Sequence, residues 1–437
     1  KTGFEVRKHK INVDGYSLQP KLNADGTPVE PFVPAIPKPD EQNREIYEAN
    51  PIQMSAYIQD KIEYKNVIIN VGIRFDYFNS RGNVLVDPTD PNIYLPLRPG
   101  LDTLTIAERM PYFYKKATPK WQISPRLGIA YPVSASGVVR FSYGHFLQIP
   151  SFMYLFNNAT YKVPLSGDPG TVYGNPDLKA QKTIMYEIGF KQEFENTFAI
   201  DITAYYRDIR NWITAGTVIE TRNGVPFARY VNKDYANVKG LTLNFTKRFK
   251  DHYSINFNYT YQVAEGSNSR PEEEFEAQRS GRAPSLYLIP LDWDQRHLLN
   301  LDIYIGGNSW GLSLLARYGT GLPYTPSITQ YVSERGITSG FLRNSRRRPN
   351  QFSLDLRMDK SFKIDGIKLT AFMRVTNLLD NHIVTNVFTD TGDPDFTTVG
   401  QNIGKDPNRP NTVQEYLTSP WHYAPPRRVE VGFEISY

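Results

Sequence analysis

Cysteine is absent from the 437 residues. That absence removes disulfide frameworks, Cys-ligated zinc, iron–sulfur clusters and thiol nucleophiles in one step. Long apolar runs are missing too. No stretch approaches the roughly 18 consecutive apolar residues of a membrane-crossing helix, and the mean hydropathy is −0.48. Helical membrane proteins are therefore excluded. A membrane β-barrel is not, because its alternate residues face a polar interior and the two faces average out. Charge of one sign is scarce: 50 basic against 45 acidic side chains leave +5, with no clustered basic stripe, so nucleic acid is not an expected partner. His9, His145, His252, His297, His382 and His422 are scattered without a His-x-x-x-His pair, which gives no zinc site. No Gly-x-Ser-x-Gly elbow supplies the strained turn a serine nucleophile needs. The expectation is a chain without catalytic residues, bound metal or cofactor.

What is present is strict alternation. Tyr253, Ile255, Phe257, Tyr259, Tyr261 and Val263 interleave with Ser254, Asn256, Asn258, Thr260 and Gln262, which puts the apolar set on one face of a strand. The same period of two recurs from Val67 to Tyr77, from Leu299 to Ile305 and from Val429 to Tyr437. Read throughout, it predicts strands near 2–12, 54–64, 67–78, 122–132, 137–146, 181–193, 197–209, 238–249, 253–264, 297–306, 309–319, 351–363, 367–377 and 427–437. At roughly 10 to 13 residues these suit a tilted strand crossing a bilayer.

The connections alternate between two kinds. Tiny turns sit at Lys65-Asn66, Ser134 to Ser136, Phe194 to Asn196, Lys250 to His252, Gly307-Asn308 and Ile364 to Gly366. Long segments sit near 13–53, 79–121, 147–180, 210–237, 265–295, 320–350 and 378–426. Soluble domains rarely carry so many long loops, whereas outer-membrane barrels combine short periplasmic turns with long extracellular loops. The reading is an all-β chain, a transmembrane antiparallel β-barrel of about fourteen strands in the bacterial outer membrane. Its wall would point Arg74, Asp76, Arg126, Arg140, Glu187, Asp201, Asp302, Arg317, Asp355, Arg357, Arg374 and Glu434 inward. Such a lumen is wet or filled by a polar plug held through charge-assisted hydrogen bonds. Strand-end aromatics such as Tyr77, Tyr131, Tyr205, Tyr206 and Tyr318 suit interfacial girdles facing outer-membrane lipid.

Several blocks resemble those of TonB-dependent outer-membrane receptors, particularly of the Bacteroidota type. In order they are Ser55 to Asp60, Gly72 to Tyr77, Ser124 to Gly128, Tyr143 to Phe146 with Pro150, Gly174-Asn175-Pro176-Asp177-Leu178 with Tyr186 to Gly189, Leu291 to His297, Arg348-Pro349 with Leu354 to Arg357, and Val375 to Asp380. The resemblance implies a 22-stranded barrel with an N-terminal plug and a segment contacting the TonB energy-transducing complex. It implies active import of a nutrient of the siderophore, cobalamin, oligosaccharide or peptide class. With about fourteen strands, an opening on Lys1-Thr2-Gly3 and no apolar signal stretch, the expectation is the C-terminal portion of a longer receptor, its first strand number 9 of the family's count. The aromatic ending, with Phe433 and Tyr437, resembles the family's assembly signal and reads equally as a last lipid-facing strand. A passive fourteen-stranded channel, or a surface adhesin or assembly scaffold, are the other readings. A surface lipoprotein is a possible partner.

Other candidates have plainer alternatives. Asp292, Trp293, Asp294, Gln295, Arg296 and His297 stand where a long loop rejoins the wall, and the preferred role is structural, the acids and Arg296 bonding to fix the strand start. Asp87 with Asp90, and Asp390 with Asp393 and Asp395, offer oxygen ligands for calcium without the full spacing of a calcium loop, so ordinary turns are preferred. Arg346-Arg347-Arg348 is either a solvated loop end or a contact for lipid or lipopolysaccharide phosphates. Glu272 to Glu274 and the loop aromatics Tyr112, Tyr114, Tyr154, Tyr287, Tyr324 and Trp421 are candidates for contacting a large solute.

Overall fold

The computed structural model describes residues 1–279, 287–327, 342–398, 412, 415 and 419–436. Fourteen long strands carry the fold: β1 (Thr2–Lys8), β2 (Ile52–Tyr64), β3 (Val67–Asn79), β4 (Lys120–Pro132), β5 (Gly137–Gln148), β6 (Gln181–Phe194), β7 (Phe198–Ala215), β8 (Pro226–Lys250), β9 (Tyr253–Gly266), β10 (His297–Gly307), β11 (Trp310–Gly319), β12 (Gln351–Ile364), β13 (Ile367–Thr376) and β14 (Arg428–Ser436). Each pairs antiparallel with its neighbours in chain order. Among the described residues β1 and β14 are not paired with each other.

Register turns the sequence alternation into two chemically distinct faces. Ile73 stands opposite Ile58 and Pro125, Phe75 opposite Ala56 and Ile123, and Ile188 opposite Phe141 and Ala204. This apolar face is uncovered: Ile188 is 57% exposed, Val431 77% and Phe433 74%. Tyr437 lies outside the described residues. The opposite face carries the charges. A soluble sandwich buries such an apolar face against a second sheet, so here lipid is the matching solvent.

The tight turns share one end. Several bend by placing successive residues at positive φ, at Glu195 (49°) with Asn196 (53°), Asp251 (55°) with His252 (72°), and Asp365 (46°) with Gly366 (83°). Two such residues in a row match the right-handed twist of the flanking strands. Only the last pair has the residue chemistry that conformation favours.

The other end differs from the expectation of irregular loops. Residues 210–237 are mostly strand, since β7 runs on to Ala215 and β8 begins at Pro226, with the register shifting around Trp212. The long segments also pack on one another. Leu155, Phe156, Leu178, Ile213 and Tyr230 form one buried cluster with Phe78 at the end of β3, and Leu85, Tyr161, Val163, Tyr173 and Phe227 form a second. Helix α1 (Ile106–Phe113) starts on a reciprocal cap between Thr105 and Glu108, which satisfies two otherwise orphaned backbone donors. Burying this much apolar surface holds connections of such length in one arrangement against their conformational entropy.

Candidate functional site

The polar face comes first. Arg74, Asp76, Arg126, Arg140, Glu187, Asp201, Asp302, Arg317, Asp355, Arg357, Arg374 and Glu434 all fall on it by register. Arg74 Nε donates to Asp76 Oδ1 at 2.8 Å. Arg140 forks onto both Asp201 oxygens at 2.9 and 2.7 Å and donates to Thr203 at 2.6 Å, the bidentate geometry that makes such pairs strong. Arg126 stacks over Phe146 at 4.9 Å. With Glu187, Arg74, Tyr57, Gln59 and Asn70 it lines a cavity of about 440 Å³. Farther round, Arg317 stands opposite Asn300 and Ser353, and Asp355 accepts from the Asn377 amide at 2.9 Å. Arg357 faces Arg374 directly across β12 and β13. Arg357 lies over Phe372 at 5.4 Å, and Arg374 reaches Glu430 at 3.6 Å. Like charges placed opposite each other destabilise a sheet, and here Phe372 and Glu430 take up the two guanidinium groups.

The second feature is a buried polar knot at the long-loop end. Asp294 is fully buried. Its carboxylate accepts from the Ala264 amide at 2.8 Å, from Arg296 Nε at 2.8 Å and from Arg347, while Arg347 Nη1 also donates to the Asp294 carbonyl at 2.6 Å. Asn344 Nδ2 donates to Asp292 Oδ1 at 2.8 Å. Arg343 donates to Glu273 at 3.0 Å; burial raises the Glu273 carboxyl above its usual value, opposed by Arg343. Of the six residues expected to fix the strand start, Asp292, Asp294 and Arg296 join this knot. Gln295 bridges to the Thr320 carbonyl at 3.0 Å. Trp293 is exposed. His297 instead sits on the apolar face, bonded to the Tyr259 hydroxyl at 2.8 Å and 5.2 Å from the Tyr261 ring centre.

Nothing in the sequence marks Arg343, Asn344 and Arg347 for this role; Arg346 to Arg348 stand out there only as a dense positive run. Of the three arginines in that run, Arg346 is exposed. Arg347 is held by Asp294, and Arg348 donates to the Thr385 carbonyl at 2.5 Å, so neither is a free rim cation.

A third feature explains the Gly174 to Leu178 block. Asp177 accepts from the Thr118 amide at 2.9 Å and Lys120 Nζ at 2.6 Å. Asn175 Nδ2 donates to the Tyr230 carbonyl at 2.9 Å, and Ser80 Oγ to the Pro176 carbonyl at 2.7 Å. The block thus clamps the ends of β3, β4 and β8. Burial alone would raise the Asp177 carboxyl, but the bonds from Lys120 and Thr118 outweigh it and hold it below the usual carboxylate value. Gly174 is required by space: an added Cβ would lie 2.8 Å from the Asn157 carbonyl and 2.9 Å from the Leu155 carbonyl.

Lys162 ties the first long segment to this assembly by donating to the carbonyls of Pro39, Glu41 and Arg44. Its burial lowers its affinity for a proton. Asp90 accepts from Leu97 N and Arg98, Asp87 from Thr89 and Arg222, and Asp390 from Thr397 and Thr398. These acids act as turn acceptors. Among the described residues no group of three or more His, Cys, Asp or Glu side chains is placed to hold a metal.

This geometry is matched by known proteins. A family model described as TonB dependent receptor-like, beta-barrel, matches residues 4–378. The chain belongs to that family, whose members are outer-membrane β-barrel proteins rather than enzymes. Among solved structures, the outer-membrane transporter YddB from Escherichia coli superposes with a TM-score of 0.58 at 14% identity, over 88% of this chain and 47% of that one. The siderophore receptor PiuA from Acinetobacter baumannii gives 0.55 at 16% identity, over 89% and 50%. FpvA of P. aeruginosa bound to a pyoverdine gives 0.56 at 13% identity, over 99% and 45%. The chain therefore spans about half the length of the structures it matches. No curated protein sequence matches it.

Proposed function

We propose that this chain supplies wall and outer loops to a TonB-dependent importer that takes up a scarce nutrient across the bacterial outer membrane. The observation carrying the reading is the two-faced sheet: an uncovered apolar face beside Phe433 and Ile188, backed by a face of paired and unpaired charges from Arg74 round to Arg374. In this reading the polar face lines the lumen, the tight turns are periplasmic and the long segments extracellular. A plug would meet Arg126, Glu187, Arg357 and Arg374, and the TonB contact would come from outside these residues. The substrate belongs to the siderophore, cobalamin, oligosaccharide or peptide classes. PiuA and FpvA, similar to this chain in fold, are a siderophore receptor and a pyoverdine-bound protein, which supports including siderophores among these classes. A contribution of Phe433 and Tyr437 to assembly, and a surface lipoprotein resting on the packed loops, belong to the same proposal.

A self-contained fourteen-stranded channel would require β1 to pair with β14, and the described residues contain no such pairing. The test is nutrient uptake by whole cells carrying the full receptor, with the proton-motive force intact and collapsed. Import is expected to stop on collapse. Equal uptake under both conditions would overturn the proposal.

A further inference from the structure

The apolar face has an ordered edge. Cross-strand register on β5, β6, β7 and β8 builds it in rows: Val139, Phe190, Ile202 and Leu243, then Phe141, Ile188, Ala204 and Leu241, then Tyr143, Tyr186, Tyr206 and Lys239. The tyrosine rings of the third row lie 5.1 and 6.4 Å apart centre to centre, forming a girdle of the kind that marks a membrane interface. Two rows farther toward the long loops, Lys182 stands directly opposite Arg210. Four residues beyond the tyrosines puts these cations about 13 Å farther along the strands, in the headgroup layer.

Two cations opposed across a sheet repel, and little nearby offsets them. Asp208 is the acid of these rows and is already bonded to Arg210 at 2.8 Å. Glu265 is turned to Arg296 at 3.7 Å, and His145 is bonded to Tyr143 at 2.7 Å. Lys182 and Lys239 have no hydrogen bond or ion pair among the described residues. Arg210 remains 65% exposed despite its one partner. The patch therefore keeps about two uncompensated positive charges, Lys239 in the tyrosine row and Lys182 beside Arg210 at headgroup depth, with a planar guanidinium fork suited to phosphate.

We infer that Lys182, Arg210 and Lys239 form a site on the outer wall for the phosphate of a membrane-anchored glycolipid in the leaflet on the long-loop side. The girdle of Tyr143, Tyr186 and Tyr206, with Lys239 in the same row, packs against the sugar–acyl boundary, and Lys182 and Arg210 take the phosphate above. The inference rests on the apolar face meeting lipid, as proposed above, but not on energised transport. It also places lipid phosphate recognition on β6, β7 and β8 instead of at Arg346 to Arg348.

The test uses the full receptor in phosphatidylcholine nanodiscs doped with diphosphorylated lipid A or with the same lipid after enzymatic removal of its phosphates. Lipid retained per protein is measured by native mass spectrometry. The wild type retains the phosphorylated lipid and not the dephosphorylated one, and added inorganic phosphate displaces it poorly. The triple variant K182Q/R210Q/K239Q binds it about a hundred-fold more weakly. A control, K250Q/K363Q/K368Q, removes the same charge from the tight-turn end and binds as the wild type does. Equal retention by wild type and triple variant, an equal loss in the control, or full displacement by inorganic phosphate would each overturn the inference. Uptake measured on the same variants separates the two claims, because lipid binding retained by the triple variant with energised import intact rejects this site alone.

Discussion

Replacing Arg347 with Met is the sharpest perturbation of the polar knot. Asp294 is wholly buried and holds its charge through Arg296, Arg347 and the Ala264 amide. The Met variant keeps the aliphatic volume of Arg347 but removes one guanidinium and its bonds to the Asp294 and Gly321 carbonyls. Taking one partner from a buried ion pair costs about 3–5 kcal/mol. Arg296 and Ala264 stay in place, so the low end, about 3 kcal/mol, is expected. That cost falls on the local opening of the loop end and not on the whole sheet. Hydrogen exchange read residue by residue in lipid nanodiscs is the assay: the Ala264 and Leu291 amides should exchange about 150-fold faster, while amides in the middle of β9, such as Phe257, keep their protection. Arg347→Lys should recover only part of the loss, because a point charge cannot reproduce the two-armed contact. Unchanged Ala264 exchange in Arg347→Met would refute the assignment of Asp294 as a buried charge held by this arginine.

Three further outcomes follow from the same structure. Gly174→Ala forces a Cβ to within 2.8 Å of backbone at Asn157 and should loosen the packed loops by about 1–3 kcal/mol, seen as faster limited proteolysis between 150 and 180. The Asp177 clamp belongs to a carboxyl held below its ordinary value, so its contribution is present above the unfolded-state value and is lost as pH falls through the folded one. Protection of the Thr118 amide should therefore hold near neutrality and fail below about pH 4, and Asp177→Asn should abolish that pH dependence. Ile188→Arg places a charge on the exposed apolar face and should cost about 2–4 kcal/mol in urea unfolding from vesicles, whereas the adjacent Glu187→Gln on the polar face should stay within about 0.5 kcal/mol.

The strands were readable from the chain because each face uses its own residue types. At 253–263 the apolar and polar sets never mix, and the register of β9 against β8 and β10 keeps them apart. The extension of β8 back to Pro226 was not readable. There Phe227, Ala228 and Tyr230 are buried among loop residues, so both faces are covered and the period of two fades. The polar knot was half legible. Asp294 and Arg296 are two residues apart and read as a pair, but Arg347 lies 53 positions beyond Asp294 and only the fold brings them together. The same holds for Lys162, whose carbonyl partners lie in 39–44. Adjacency in sequence groups His297 with the strand-start motif. The β9–β10 register put it on the opposite face, against Tyr261.

These 437 residues contain no cysteine, so a cysteine introduced among them is their single thiol, and this gives the most immediate test of the two-faced sheet. Glu187→Cys and Ile188→Cys are each labelled with a fluorophore in the full receptor and reconstituted into vesicles of brominated phosphatidylcholine. The account predicts strong bromine quenching at position 188 and, at 187, quenching by aqueous iodide instead. Iodide access with no bromine quenching at 188 would contradict it.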